Sequence, residues 1–212
     1  MEKIDFKKEF KALYNPPIKQ PALVDVPEFQ FLAIDAEGDP GLAPVYEQAI
    51  NALYSLAFTL KFRLKKTEVV DYSVAPLEGL WWTDDMAEFR LERKEIWKST
   101  LLIMQPQQVT TELFDEVREQ LGRKKDLSSL DLVRLEHFSE GLCAQVLHVG
   151  PYGAAEAPAV SGLHRFIEEE GYALRGKHHE IYLNDPRRTA PEKLRTVIRQ
   201  PVGKQPADSV ER

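Results

Sequence analysis

The order strand, helix, strand, strand occurs twice along this chain, and that repetition limits the available architectures more than any other feature. In the first half, residues 27–108, Phe29, Phe31 and Ala33 alternate with Gln30, Leu32 and Ile34, as in a strand. The stretch ends in the turn-forming cluster Glu37-Gly38-Asp39-Pro40-Gly41. After Pro44, the apolar residues Val45, Ala49, Leu53, Leu56 and Leu60 recur at helical spacing, with Tyr46, Ile50 and Ala57 widening the face. Strand-like text returns at 69–75, a turn-like stretch runs from Pro76 to Trp82, and a further strand is expected over 97–104. The second half, residues 138–203, repeats the order. A strand is expected at 142–149, a turn at Gly150-Pro151-Tyr152-Gly153, and a helix from Pro158 to Glu170 with Val160, Leu163 and Ile167 inward, stopped by Gly171. Strands at 178–183 and 194–202 follow. Between them Thr189 and Glu192 have capping-box spacing, with Pro191 in the first turn.

Around these halves lie an amphipathic lead-in, 1–26, broken at Asn15-Pro16-Pro17, and a connector, 109–137. The connector contains a helix whose acidic start (Glu112, Asp115, Glu116) and basic end (Arg123, Lys124, Lys125) suit the helix dipole. The polar tail 204–212 is expected to be disordered. One helix and about three strands are too few to bury both faces of a sheet. The fold class expected is therefore α+β: a single domain, 27–203, in which the duplicated units join into one antiparallel sheet. Both helices are expected on one face, leaving a concave ligand pocket on the other.

Charge and cysteine usage narrow the setting. A net charge of -6 argues against nucleic acid as a partner, since phosphate binding needs a concentrated basic surface. The single cysteine, Cys143, has no internal partner, and the charged N-terminus lacks a secretory h-region. No apolar run is long enough to span a bilayer. A cytoplasmic protein with no membrane partner is expected; the oligomeric state is left open, and a monomer is compatible with the sequence.

Alternation along His178-His179-Glu180-Ile181-Tyr182-Leu183 puts His178, Glu180 and Tyr182 on one face and His179, Ile181 and Leu183 on the other. A carboxylate in mid-strand is either solvated at an edge or buried with partners. Glu180 is thus either a salt-bridged or surface residue, or the acid on a pocket floor with His178 and Tyr182 beside it. Burial in such a floor would raise its pKa. Trp81 and Trp82 point to opposite faces, so one is expected in the core and the other on the open face. Glu78 is a second acid of either pocket or surface, and Tyr152 is placed at the rim, where its hydroxyl would reach a ligand. Adjacent strand residues diverge, so His178-His179-Glu180 is not a metal-binding pattern, and no phosphate loop or nucleophile elbow appears. His148 and His164 read as structural. No metal or cofactor is expected.

The chain resembles the GyrI-like small-molecule-binding proteins, in their free-standing branch without a DNA-binding domain. The resemblance lies in Phe31–Pro40, Ala49–Ser55, Pro76–Trp82, His148–Tyr152, Gly176–Leu183 and Asp185–Leu194. Ala36 departs from it where glycine is expected. The resemblance implies the duplicated fold and a pocket for an aromatic small molecule, with Trp81, Trp82, Tyr152, Glu180 and Tyr182 as its residues. Some free-standing relatives are similar to hydrolases that open the cyclopropane of DNA-alkylating natural products. Two expectations follow. One is a cofactor-independent hydrolase of cyclopropanoid compounds, with Glu180 as base and Tyr152 or Tyr182 as donor. The other is a non-catalytic module that sequesters or senses aromatic or cationic drugs. A gyrase-inhibitor-like interaction protein is a third reading.

Overall fold

A computed structural model describes residues 3–18 and 20–204. In chain order its elements are β1 (Lys3–Ile4), α1 (Phe6–Glu9), α2 (Lys11–Tyr14), β2 (Ala22–Val26), β3 (Phe29–Glu37), α3 (Pro44–Lys66), β4 (Asp71–Tyr72), β5 (Leu77–Trp82), β6 (Lys98–Gln105), α4 (Thr111–Gly122), β7 (Arg134–Phe138), β8 (Gly141–Val149), α5 (Ala157–Glu169), β9 (Tyr172–Leu174), β10 (His178–Tyr182) and β11 (Arg195–Lys204). The main sheet runs β2-β8-β11-β10-β5-β6-β3-β7, with β9 pairing the end of β11. Its pairings are antiparallel. The two units, β3-α3-β5-β6 and β8-α5-β10-β11, form mirrored halves of this order and meet where β5 pairs with β10.

The α+β fold with one large antiparallel sheet is as expected, and the differences lie in the connecting segments. The strand expected at 69–75 contracts to Asp71–Tyr72, which pairs with β1 outside the main sheet. Pro76–Trp82, read as turn-like, is instead β5, a central strand. The lead-in contributes β2 and the connector contributes β7, each capping one end of the sheet. Lys204, assigned to the tail, pairs with Tyr172, while 205–212 lie outside the described residues.

Helix α3 starts with Pro44 at its first turn and buries Ala49, Ala52, Leu53, Leu56, Ala57 and Leu60. It packs on β3 and β6, whereas α5 buries Leu163 and Ile167 against Ala144, Val146 and Ile198 of β8 and β11. Both helices lie on the face that also bears Glu180, because Ile198 is the cross-strand partner of Glu180 and shares its side of the sheet. This corrects the expectation of a pocket on the face away from the helices. Helix α3 covers β3 and β6, α5 covers β8 and β11, and the open space on this face lies beside α5 over β10.

The reverse face is filled by the lead-in. Leu13 and Tyr14 of α2 are buried there, over an ionic cluster set into the sheet. His179 lies between Glu78, at 3.1 Å, and Glu140, at 3.0 Å, and Arg199 Nη1 reaches Glu140 at 2.9 Å. Tyr14 donates to Glu78 at 3.1 Å, and Arg199 donates to the Leu13 carbonyl. Burial opposes the charge on His179, yet Glu140 and Glu78 raise its pKa to about 9. Burial likewise raises the Glu140 pKa, but the His179 and Arg199 charges outweigh it and hold the group at about 2.

Removing one member of a buried ion cluster leaves the others uncompensated, at a cost of about 3–5 kcal/mol. Glu140→Gln should lose stability on that scale in urea denaturation near neutral pH. A carboxyl with a depressed folded pKa contributes stability above its unfolded value, and that contribution fades as pH falls. The gap between the two proteins should therefore narrow from pH 4.5 down to about 2.

Candidate functional site

Beside α5, on the helix-bearing face of the sheet, lies a cavity of about 470 Å³, within the size range of small-molecule pockets, about 300–1,000 Å³. Glu180 and His178 of β10 form part of its floor. Val160, Ser161 and His164 come from α5, Glu156 from the turn that precedes it, and Met86, Phe89 and Trp97 from the segment between β5 and β6. Phe89 and Trp97 stack at 4.7 Å between ring centroids, and Phe89 meets His178 at 5.8 Å. These rings make an aromatic wall beside two carboxyl groups.

Strand alternation determines how Glu180 is held. His178 and Tyr182 flank it on the same face, and each occupies one of its oxygens. His178 Nε2 lies 3.2 Å from Oε1, and the Tyr182 hydroxyl donates to Oε2 at 2.8 Å. The side chain retains 17% exposure, so a ligand in the cavity can reach it. Burial pushes the Glu180 pKa up, but the bond and charge of His178 and the Tyr182 hydroxyl more than offset this, and the net direction is down. The expectation of a raised value is therefore corrected: desolvation alone neglects the two same-face neighbours.

Glu156 shifts the opposite way. It is 4% exposed. Burial, then repulsion from Glu180, raises its pKa to about 8. The Gly153 amide donates to its Oε2 at 2.6 Å, across a turn that Gly153 closes at φ 78°. Its Oε1 is buried with no hydrogen bond of ordinary geometry among the described residues, although the nearby Thr196 hydroxyl acts to lower its pKa. His164, whose pKa is lowered by burial and by His178, also has an unpartnered buried Nε2. One cavity thus holds a carboxylate and a carboxylic acid at neutral pH, a separation of roles that places a base beside an acid.

The structure divides the residues picked out from sequence. His178, Glu180 and Tyr182 share the cavity face with Trp81. Trp81 itself is buried behind the lining, stacked on Tyr46 at 5.9 Å and touching Trp97 at 5.8 Å. Trp82 faces the reverse side with Lys177 3.2 Å over its ring, so it stands apart from the cavity. Glu78 is 2% exposed in the reverse-face ionic cluster; the register Ile181↔Glu78 puts it back to back with Glu180. Both are corrected as pocket residues, because in-register alternation sends even-numbered β5 side chains away from the helices. Tyr152 is half-exposed and lies edge-on to Tyr182 at 5.4 Å, outside the set of residues that line the cavity. Burial, with Glu156 and Glu180 nearby, pushes its pKa up to about 12. Glu156, His164, Phe89 and Trp97 escaped the sequence reading as site residues. Glu156 had one signal, an acid at a helix entry three residues after a glycine; Phe89 lies between two 3₁₀ turns, Met86–Glu88 and Leu91–Ile96, in a segment that shows no periodicity. Among the described residues, no group of three or more His, Cys, Asp or Glu side chains is placed to hold a metal ion, and no helix is long and apolar enough to cross a membrane.

Comparison with known proteins matches residues 19–202 to the GyrI-like small molecule binding domain. An uncharacterized conserved protein from Listeria innocua is 40% identical, with a TM-score of 0.88 over 94% of this chain and all of that one. A hydrolase from Listeria innocua is 38% identical, with a TM-score of 0.85 over 95% of this chain and all of that one. The EcmrR C-terminal domain shares the fold at 12% identity, with a TM-score of 0.53 over 88% of this chain and 98% of that one. Among curated proteins none matches.

If Glu180 repels the ionised form of Glu156, Glu180→Gln should lower the Glu156 midpoint from about 8, as read by ¹³C NMR of labelled carboxyl groups. A raised folded pKa makes stability decline as pH rises through the window from 4.5 to about 8. Glu156→Gln should remove that part of the decline in denaturation series across the same window.

Proposed function

The chain belongs to the GyrI-like small molecule binding domain family, and from that premise we propose that it is a hydrolase which adds water to an electrophilic aromatic compound bearing a cyclopropane. The observation behind this reading is the pair of carboxyl groups in one aromatic-walled cavity, with their pKa values driven apart. The similarity to a Listeria innocua hydrolase at 38% identity supports the same reaction class.

A flat substrate lies against Phe89 and Trp97, which orient it by ring stacking. The ionised Glu180 accepts a proton from a water molecule as the water oxygen bonds to the unhindered cyclopropane carbon. The cyclopropane carbon–carbon bond breaks, and its electron pair passes through the conjugated ring to the carbonyl oxygen. That oxygen takes a proton from Glu156, giving a phenol. The product is substrate plus one water, and exchange with solvent restores both carboxyl groups. Tyr182 is committed to Glu180, so the hydroxyl of Tyr152, whose ring lies edge-on to Tyr182, is the second donor to the developing oxyanion. On this reading the partner is an aromatic small molecule, and no cofactor takes part.

Mass spectrometry of a cyclopropyl dienone incubated with the protein should show the gain of one water. Glu180→Gln should cut kcat by about 10²- to 10⁴-fold while still binding the unreacted compound. Turnover should also fall above pH about 8, as Glu156 loses its proton, and that alkaline limb should vanish in Glu156→Gln. Stoichiometric binding without product by the unmodified protein would instead establish a sequestering or sensing module.

A further inference from the structure

Glu180 faces a residue with no side chain. In the β5–β10 register its cross-strand partner is Gly79, with Trp81 opposite His178 and Leu77 opposite Tyr182. The Trp81 indole is directed back over Gly79. A Cβ built on Gly79 would lie 2.7 Å from the indole Nε1 and 3.0 Å from Cε2, closer than side-chain atoms approach one another. The indole thereby crosses two register positions and donates from Nε1 to the Tyr182 hydroxyl at 3.1 Å. That hydroxyl in turn donates to Glu180 Oε2 at 2.8 Å.

We infer that Gly79 and Trp81 are positioning residues for Glu180, acting through Tyr182 rather than by touching a ligand. A phenol hydroxyl has one proton and two acceptor lone pairs. With the indole N–H occupying one lone pair, the Tyr182 proton is aimed at the carboxylate, and a chain of donors polarised in one direction ends on Oε2. The indole is held in turn. It stacks on Tyr46 with an interplanar angle of 19°, and the Tyr46 hydroxyl donates to the Gly38 carbonyl at 3.1 Å while accepting from Ser99 at 3.1 Å. The missing Cβ at position 79 is the condition for the whole arrangement, since a methyl group there occupies the path of the indole.

This inference rests on Glu180 being the reacting carboxylate, but its geometry can be tested apart from turnover. The groups facing Glu180 are His178 and Tyr182 on its own strand, Glu156 before α5, and Tyr152 beside Tyr182. His179 lies behind it in the sheet, His164 of α5 acts on His178, and Lys94 acts on Glu156. Trp81→Phe keeps a ring against Tyr46 and deletes only the donor. The Glu180 carboxyl, followed by ¹³C NMR, should titrate at higher pH in Trp81→Phe and in Tyr182→Phe. The double variant should titrate where Tyr182→Phe does, because the indole has no route to Glu180 once the hydroxyl is gone. Where the unmodified protein turns over a substrate, Trp81→Phe should lower kcat by about tenfold with KM unchanged, and should move the acid limb of the pH profile upward. Gly79→Ala should reproduce the Trp81→Phe titration. An unshifted Glu180 titration in a folded Trp81→Phe protein, or effects that simply add in the double variant, would overturn the inference. Absence of turnover in the unmodified protein would overturn the hydrolase reading alone and leave the titration result standing.

Discussion

The pairing of β5 with β10 is the constraint on which the rest of the molecule depends. It joins two units that could not each bury a sheet, and its register decides what lies on either side. Glu180 opposite Gly79 and His179 opposite Leu80 follow from that register, as does the separation of the two acids Glu78 and Glu180 onto opposite faces. A slip by one residue would exchange the faces of every side chain on the strand. It would bring His179 into the cavity and bury Glu180 among the ionic groups behind it.

The two faces are built on different principles. Behind the sheet, opposite charges are paired with one another, His179 between Glu78 and Glu140 and Arg199 on Glu140, although Glu140 Oε1 has no hydrogen bond among the described residues. The lead-in is held down there by bonds from Arg199 to the Leu13 carbonyl and from Gln145 to the Ala12 carbonyl. In front, two acids face each other, and Glu156 Oε1 and His164 Nε2 are buried with no hydrogen bond among the described residues, a state that buried polar groups in stable interiors rarely keep. Unmet hydrogen-bonding capacity beside an aromatic wall suits a site whose remaining partners arrive with a ligand.

Much of the fold was legible in the sequence because it rests on short-range periodicity. The α3 face, the turn at Gly38 and the alternation through β10 all follow from local pattern, and that alternation alone places Glu180 with His178 and Tyr182. What escaped depends on long-range packing. The lead-in reads as an amphipathic segment, and only the assembled sheet reveals that it fills the reverse face. That filling moves the cavity to the helix side. Trp81 and Trp82 were separable into opposite faces, but which one faced the helices required the β5 register. Phe89 and Glu156 had little to mark them, since 3₁₀ turns and helix entries have no hydrophobic repeat.

The cavity draws its components unevenly from the two units. Met86, Phe89 and Trp97 belong to the first, on the segment between β5 and β6, whereas Glu156, His164, His178 and Glu180 all belong to the second. The two units thus divide the labour across the seam. Changes between β5 and β6 that spare Phe89, which meets His178, and Lys94, which acts on Glu156, can reshape what the hollow admits, so descendants of such a scaffold can change their chemical diet while keeping one inherited proton apparatus.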